Sequence, residues 1–456
     1  MGEARGYLRL AEFTNWQPRR SGTVLSLAAG QKLSGIVLRL VPSAAVSGRI
    51  VDEDGDPLKS VQVQLWRITY FPGRRALTTA NAERSSTDDR GVYRVAGITP
   101  GKYYLSAAPS GDVPNWPPDD ARYVQAFYPG TLDPAVAAPI DVAPGAELEN
   151  IGFKLSKVQT VHVGGRVLSA AAADVSLSPE SIVSNSHYST SSILPDGRFD
   201  FDGVLPGTYN LLVRIREGEH RGWAYRPLTV GPTGVDGLTL SLNPGASITF
   251  RMRVDGGGGA ADLSKLAIQL WPVDQGPALT YSEAPTKDGT FKIDDIAPGR
   301  YRVAPSMAPA GFYLKTVRSE NGNLSGRILD LTVGAPAQVE ALFSPKAASV
   351  TGTVFFSGSE SPAPEATVVL IPQEKERRED LSAYQRTTTD DFGRFTIGGL
   401  PPGEYRAFAW ESVDSFNRIY MDPEFIGPLE SKGSAVTLAE SDRADIKLTL
   451  ITDYAR

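Results

Sequence analysis

The sequence contains no cysteine and only three histidines among its 456 residues. The lack of cysteine excludes disulfides, thiolate catalysis and Cys-ligated metals. His162, His187 and His220 stand far apart, and none belongs to an HExxH motif or a His-x-x-Glu pair, whereas zinc chemistry needs clustered ligands. There is also no Walker loop, no dinucleotide fingerprint and no Gly-x-Ser-x-Gly elbow opening a helix. We therefore predict no catalytic residue, no metal site and no cofactor, in a protein that is not an enzyme.

Long apolar runs and basic tracts are missing as well. No run approaches the length of a membrane-spanning helix, and residues 1–16 lack the apolar core of a signal peptide. The formal net charge is −6, without a lysine or arginine tract, which argues against nucleic acid or an anionic membrane as a partner. The lack of cysteine fits an exported bacterial protein and a reducing cytoplasm equally well.

What the sequence does contain is a pattern of an aromatic residue, a Pro-Gly pair and a tyrosine, which occurs four times. In each copy the aromatic precedes the tyrosine by ten residues. The copies read DRGVYRVAGITPGKY at 89–103, DGRFDFDGVLPGTY at 196–209, DGTFKIDDIAPGRY at 288–301 and DFGRFTIGGLPPGEY at 391–405. A spacing of roughly 100 residues is the size of a small domain, so the copies indicate separate domains in tandem.

The pattern has a physical meaning for a β-protein. Asp and Gly favour a tight turn before one strand, and Pro-Gly favours a turn before the next. In the first copy, Tyr93 and Val95 alternate along the first strand, and Tyr103, Leu105 and Ala107 lie on one face of the second. The two aromatics can then meet in a core. With the alternating segments before and after each copy, about seven short strands per domain predict a β-sandwich.

The repeats divide the chain into four domains and a remnant. Residues 23–41 resemble 139–155, so we interpret the start of the chain as the back end of a repeat whose front is missing. The predicted units are a remnant at 1–43 and sandwiches at 44–158, 159–244, 245–345 and 346–456. No Gly/Ser-rich or Pro-rich linker separates them, which predicts a stiff, monomeric rod.

The sequence segments around these repeated turns resemble a known family. VSGRIVDEDGDPLKSVQVQL, TDDRGVYRVAGITPGKYYLSA and APIDVAPGAELENIGFKL are similar to the carboxypeptidase regulatory-like domain, in the tandem form common in secreted proteins of Acidobacteria. The resemblance is strongest at 44–157 and 346–410 and weak at 159–244. It implies seven-stranded Greek-key sandwiches of the prealbumin-like or starch-binding-like kind, which are usually exported and grouped with carbohydrate-binding folds. It does not imply peptidase activity.

Several acidic groups have two interpretations. The pairs Asp88-Asp89 and Asp390-Asp391 could be catalytic carboxylates, but they stand where the repeated turn begins, and Asp favours such turns. The segment 51–57, VDEDGDP, resembles a calcium loop but lacks its twelve-residue spacing and closing glutamate. We interpret all three as turns.

Loop aromatics are the best candidates for a binding site, since flat apolar rings stack on sugar rings. One cluster lies in the Pro-rich insertion 113–130, and the other occupies the equivalent place in the last copy. The predicted ligand-binding residues are Trp116, Tyr123, Phe127 and Tyr128 in the first cluster and Trp410, Phe416 and Tyr420 in the second. The alternative is that these rings pack beneath their own loops.

Three functions are compatible with these observations. The first is an extracellular or cell-envelope array for binding or adhesion, with a polysaccharide or another envelope protein as partner. The second is a purely structural spacer within a larger envelope protein. The third is an accessory module of a separate hydrolase.

Overall fold

The computed structural model consists mainly of strands, and in the part of the chain that it describes no helix exceeds six residues or is long and apolar enough to cross a membrane. The described residues are 7–9, 40–71, 74–80, 84–109, 121–168, 174–180, 188–190, 196–215, 222–257, 262–273, 280–283, 285–332, 334–411, 413 and 418–452. Their sheets form four successive two-sheet sandwiches, which confirms the predicted all-β tandem array.

The first sandwich carries additions to the repeated plan. Before it, β1 (Tyr7–Arg9) pairs antiparallel with β2 (Leu40–Pro42). Its strands are β3 (Ala44–Val51), β4 (Val61–Phe71), β5 (Arg74–Thr79), β6 (Ser85–Ser86), β7 (Val92–Ile98), β8 (Gly101–Pro109), β9 (Ala121–Tyr123), β10 (Ala126–Phe127), β11 (Ile140–Val142), β12 (Glu147–Leu148) and β13 (Phe153–Lys154). In one sheet β7, β12 and β13 flank β3; the other has the order β10-β8-β4-β5, with β11 beside β8 and β6 beside β4.

The second sandwich follows a short strand, β14 (Lys157–Gln159), and keeps seven strands although its sequence is the most degenerate of the four. They are β15 (Val161–Val167), β16 (Asp174–Pro179), β17 (Tyr188–Thr190), β18 (Arg198–Val204), β19 (Gly207–Ile215), β20 (Gly222–Val230) and β21 (Val235–Leu240). The two sheets have the orders β18-β15-β21 and β17-β16-β19-β20.

The third sandwich extends the same plan by two strands at one edge. It contains β22 (Ala246–Val254), β23 (Ala267–Pro272), β24 (Tyr281–Ser282), β25 (Thr290–Ile296), β26 (Arg300–Met307), β27 (Tyr313–Ser319), β28 (Gly322–Asn323), β29 (Ile328–Asp330) and β30 (Gln338–Ser344). The sheet orders are β25-β22-β30-β27-β28 and β24-β23-β26-β29. Short 3-10 helices lie at Pro134–Val136 in the first sandwich and at Asp255–Gly257, Leu263–Lys265 and Ser325–Arg327 in the third.

The fourth sandwich returns to seven strands and carries the helices. Its strands are β31 (Ala348–Phe355), β32 (Thr367–Pro372), β33 (Gln385–Thr388), β34 (Arg394–Leu400), β35 (Gly403–Trp410), β36 (Ser434–Leu438) and β37 (Arg443–Thr449). Its helices are α1 (Lys375–Arg378) and α2 (Pro423–Ile426), with 3-10 turns at Leu381–Ala383, Ile419–Met421 and Gly427–Lys432. Strand β31 is antiparallel to β34 and parallel to β37, and the second sheet has the order β33-β32-β35-β36.

The repeated aromatic and tyrosine are both buried in the core of every sandwich, as the pattern predicted. All eight rings are buried: Tyr93 and Tyr103, Phe199 and Tyr209, Phe291 and Tyr301, Phe395 and Tyr405. Each tyrosine hydroxyl also donates to the backbone carbonyl four residues earlier. These bonds join Tyr103 to Thr99 (2.7 Å), Tyr209 to Leu205 (2.7 Å), Tyr301 to Ala297 (2.9 Å) and Tyr405 to Pro401 (2.8 Å). This tyrosine corner satisfies a buried hydroxyl and ties the Pro-Gly turn to the strand that follows it.

The acidic pairs are turn residues, as interpreted from the sequence. The Asp88 carboxylate accepts from the amides of Arg90 and Val92 at 2.9 and 2.8 Å, and Asp390 caps its own turn in the same way. The bond from the Val92 amide holds the pKa of Asp88 below its usual value. In the segment 51–57, the Asp52 carboxylate accepts from two amides of its own hairpin turn. These carboxylates therefore stabilise backbone turns.

Candidate functional site

The first predicted aromatic cluster is partly buried. Trp116 lies outside the described residues. Phe127 is 3% exposed, and its ring centre lies 6.2 Å from that of Trp66. Tyr128 is half-buried and meets Phe153 edge-on, also at 6.2 Å. Phe127 is thus a packing residue, while Tyr128 keeps part of its surface in solvent.

Tyr123 is the member of this cluster at the edge of the first sandwich. It is half-buried in β9, and its hydroxyl donates to Glu53 Oε2 at 3.1 Å. The Lys157 ammonium lies 5.6 Å from the ring centre, within the range of a cation–π contact. Burial, together with the Glu53 carboxylate, raises the pKa of Tyr123 to about 12. The ring is therefore partly covered but not enclosed.

The second predicted cluster forms a small core of its own. Trp410 is fully buried and stacks on Phe408, with ring centres 5.3 Å apart and an interplanar angle of 14°. Tyr420 is 5% exposed, and its ring lies 6.2 Å from that of Tyr384. Phe416 lies outside the described residues. The loop of 418–432 thus covers the outer face of β32 and β35 with apolar side chains.

These positions correspond to the alternative in which the aromatics pack beneath their own loops. A ring stacks on a sugar only through an exposed face, and Phe127, Trp410 and Tyr420 present none in this conformation. Ligand binding by the seven predicted residues stays a prediction. Among the five of these residues that the structure describes, only Tyr123 and Tyr128 keep accessible surface.

Of the three histidines, the structure describes only His162. His162 lies between two carboxylates, with Nδ1 2.9 Å from Asp236 Oδ1 and Nε2 in contact with Asp200. His187 and His220 lie outside the described residues. In the described ranges, no group of three or more His, Cys, Asp or Glu side chains is placed to hold a metal ion.

The first and second sandwiches are joined by backbone as well as side chains. Strand β9 of the first sandwich pairs antiparallel with β14, which leads into the second. Arg122 in β9 donates to Asp202 in β18 at 2.5 Å. An exposed ion pair contributes little to stability, but the strand pairing restricts the direction in which the second sandwich leaves the first.

The second and third sandwiches meet at a buried tryptophan. Trp223 in β20 is fully buried, and its Nε1 donates to Asp295 Oδ1 in β25 at 2.6 Å. The Arg214 guanidinium lies 4.5 Å from the Trp223 ring centre and 4.0 Å from the Asp295 carboxylate. Gly245 precedes the third sandwich, and a Cβ there would lie only 2.6 Å from Asp295 Cα. The junction is therefore closely packed.

The third and fourth sandwiches share a buried ion pair. Arg327 contacts the Asp380 carboxylate, and both side chains are largely buried. Burial, with the neighbouring guanidinium groups of Arg302 and Arg377, lowers the pKa of Arg327 to about 10. Tyr313 adds a hydrogen bond to Glu440 at 3.3 Å, across the same junction.

The first and fourth sandwiches also touch. The Arg418 guanidinium lies 5.1 Å from the Phe71 ring centre, and the Tyr70 hydroxyl is hydrogen-bonded to the Asp422 carboxylate. Burial and the Asp422 carboxylate raise the pKa of Tyr70. A straight rod keeps its first and last domains apart. The rod predicted from the sequence is therefore not the arrangement of the described residues, because the long β4–β5 hairpin reaches the 418–432 loop.

Sequence reasoning did not find these junction residues. The two partners of each contact are far apart in the sequence. Trp223 and Asp295 are separated by 72 positions, and Arg327 and Asp380 by 53. Trp223 and Asp295 lie in strands, whereas Arg327 and Asp380 lie at 3-10 turns, so no common local pattern singles them out.

Comparison with known proteins supports the expected resemblance for the fourth sandwich. Residues 349–450 match the model of the carboxypeptidase regulatory-like domain family. This match confirms, for the fourth sandwich, the family resemblance inferred from the repeated motif. The other three sandwiches repeat the same strand plan. A comparison with curated proteins found no significant match.

Solved structures similar to the chain include pilins and repeat units of a collagen-binding protein. A streptococcal ancillary pilin is 9% identical, with a TM-score of 0.23, over 64% of this chain and 99% of the pilin. Two B repeats of the collagen-binding protein of Staphylococcus aureus are 10% identical, with a TM-score of 0.17, over 90% and 99%. The major pilin subunit of Bacillus cereus is also 10% identical, with a TM-score of 0.17, over 90% and 99%. Values this low say nothing about what this chain binds.

Proposed function

We propose that this chain is a non-catalytic structural array of an extracellular or cell-envelope protein, in which direct contacts hold four sandwiches in a fixed arrangement. The contact of Arg418 with Phe71, between the first and fourth sandwiches, carries the proposal because flexibly linked domains would not retain it. The connections between successive sandwiches are also short: 155–160, 241–245 and 345–347. Such connections leave little slack for independent motion.

The non-catalytic part of the proposal is supported by the sequence and by the family. The chain has no cysteine and no nucleophile motif, and its three histidines are isolated in the sequence. The matched family takes its name from an accessory domain, and the resemblance implies export. The carboxylates of Asp88 and Asp390, at the start of the repeated turn, accept hydrogen bonds from backbone amides of that turn.

Small-angle scattering of the full chain tests the fixed arrangement. A straight row of four sandwiches of about 35 Å each would have a radius of gyration of about 40 Å, and a compact chain of this length about 22 Å. We expect a monomer with a value below about 30 Å. Substituting Tyr70→Ala and Arg418→Ala together should raise it, whereas the exposed Arg443→Ala should not. A wild-type value near 40 Å would contradict the proposal.

Carbohydrate binding is the second candidate, and the partial exposure of Tyr123 in the Pro-rich insertion 113–130 favours it. The test is retention of the chain on a panel of insoluble polysaccharides, with Trp116→Ala and Tyr123→Ala as the variants. Trp410→Phe, which alters a buried ring, is the control. If the wild-type chain is not retained by any polysaccharide, the structural role stands alone.

A further inference from the structure

A cavity of about 950 Å³ lies between the third and fourth sandwiches. One wall comes from β26, β27 and the 323–327 segment of the third sandwich. The other comes from residues 376–385 and the Pro401-Pro402 turn of the fourth. This volume is in the range that accommodates a small organic ligand.

Arg302 is the unusual side chain of this cavity. It lines the cavity although the residue as a whole is only 8% exposed. Its Nη1 donates to the Gly326 carbonyl oxygen at 2.6 Å, and no carboxylate of the described residues lies within 4.0 Å of its nitrogens. The Glu379 carboxylate is near enough to act on it electrostatically, yet burial lowers the pKa of Arg302 overall. A buried guanidinium without a paired anion is energetically costly.

The other cations of the cavity already have partners. Arg327 contacts Asp380, and Arg377 lies 3.2 Å from Glu374. Lys315 lies 2.6 Å from Asp255 and also contacts Glu440. The four cationic side chains that line the cavity are Arg302, Lys315, Arg327 and Arg377, against the carboxylates of Glu376 and Asp380. The positive potential left after pairing is therefore centred on Arg302.

We propose that this cavity binds a small organic anion, whose carboxylate or phosphate group pairs with Arg302 while its apolar body lies against Pro305, Leu324 and Pro401. The planar guanidinium matches both anions with two parallel hydrogen bonds. The apolar side chains beside it supply the surface that such ligands bury. This assigns a ligand to the junction between the third and fourth sandwiches, in addition to its structural role.

Isothermal titration of the full chain with benzoate and with phenyl phosphate tests the site, and inorganic phosphate measures what the apolar body adds. We expect one of the two aromatic anions to bind more tightly than inorganic phosphate, and the better one identifies the anionic group. Arg302→Gln should weaken that binding roughly tenfold or more. Arg300→Gln, an exposed arginine at the start of the same strand, should leave it unchanged.

A second variant keeps the test valid if Arg302→Gln disturbs folding. Glu376 is exposed at the cavity wall, so Glu376→Gln removes a repelling charge and should tighten binding by about threefold. Unfolding cannot produce tighter binding. Glu360→Gln, exposed and not part of the wall, is the matched control. The proposal is overturned if neither aromatic anion binds below about 10 mM, or if both charge variants behave like their controls.

Discussion

Substituting Tyr301→Phe removes one atom from the tyrosine corner of the third sandwich. The ring is 1% exposed, and its hydroxyl donates to the Ala297 carbonyl oxygen at 2.9 Å in a buried bond. Phenylalanine keeps the packing of the ring, including its edge contact with Tyr281 at 5.8 Å, but leaves the carbonyl without this donor. Losing one partner of a buried hydrogen bond costs about 1–3 kcal/mol. We expect the free energy of unfolding of the third sandwich to fall by that amount.

Hydrogen exchange followed by mass spectrometry is the suitable assay, because four sandwiches need not unfold in one step. The slowest amides of β25 and β26 should exchange roughly 5- to 150-fold faster in Tyr301→Phe. Tyr225→Phe, which removes an exposed hydroxyl bonded to Asn210 at 2.9 Å, should change stability by less than about 0.5 kcal/mol. Exchange in Tyr301→Phe no faster than in this control would refute the role given to the corner.

Two further predictions concern the aromatic residues. Trp410→Ala should lower the free energy of unfolding of the fourth sandwich by about 3–5 kcal/mol in urea titrations, since it empties a fully buried site; the exposed Phe392→Ala is the control, and an equally small effect would show that Trp410 is not a core residue. Alkaline pH should destabilise the chain, because burial raises the pKa of Tyr93, Tyr301 and Tyr384, the last to about 12. Their contribution is complete below the unfolded pKa of about 10 and is lost as pH rises through the folded values. Thermal unfolding should therefore occur at lower temperature at pH 11 than at pH 9, and equal midpoints would contradict this.

The fold could be predicted from the sequence because its determinants are local. A Pro-Gly turn between Phe395 and Tyr405 dictates where two strands begin, and the same spacing in four copies dictates the repeat. The hydroxyl bonds of the corners and the parallel pairing of β31 with β37 were not predicted. The latter joins strands about 90 residues apart, and hydrophobic alternation alone does not select among such pairings.

The candidate site was less predictable. Exposure of Trp410 depends on whether the loop of 418–432 folds over it, and its sequence can equally describe an open binding loop. Nothing in the sequence around Arg302 distinguishes it from other strand arginines, and its burial beside the cavity depends on the tertiary structure. The contact between the first and fourth sandwiches depends on Phe71 and Arg418, which lie 347 positions apart in the sequence and share no motif.

A distance measurement between the first and fourth sandwiches tests most directly whether the four sandwiches have a fixed arrangement in which the first contacts the fourth. The chain has no cysteine, so Lys59→Cys and Glu424→Cys introduce two unique positions for spin labels, both exposed. Double electron–electron resonance should give a single narrow distance distribution, as narrow as that of a control pair within the fourth sandwich, Glu360→Cys and Glu424→Cys. A broad distribution reaching on the order of 100 Å, as expected for four sandwiches of about 35 Å in an open chain, would contradict it.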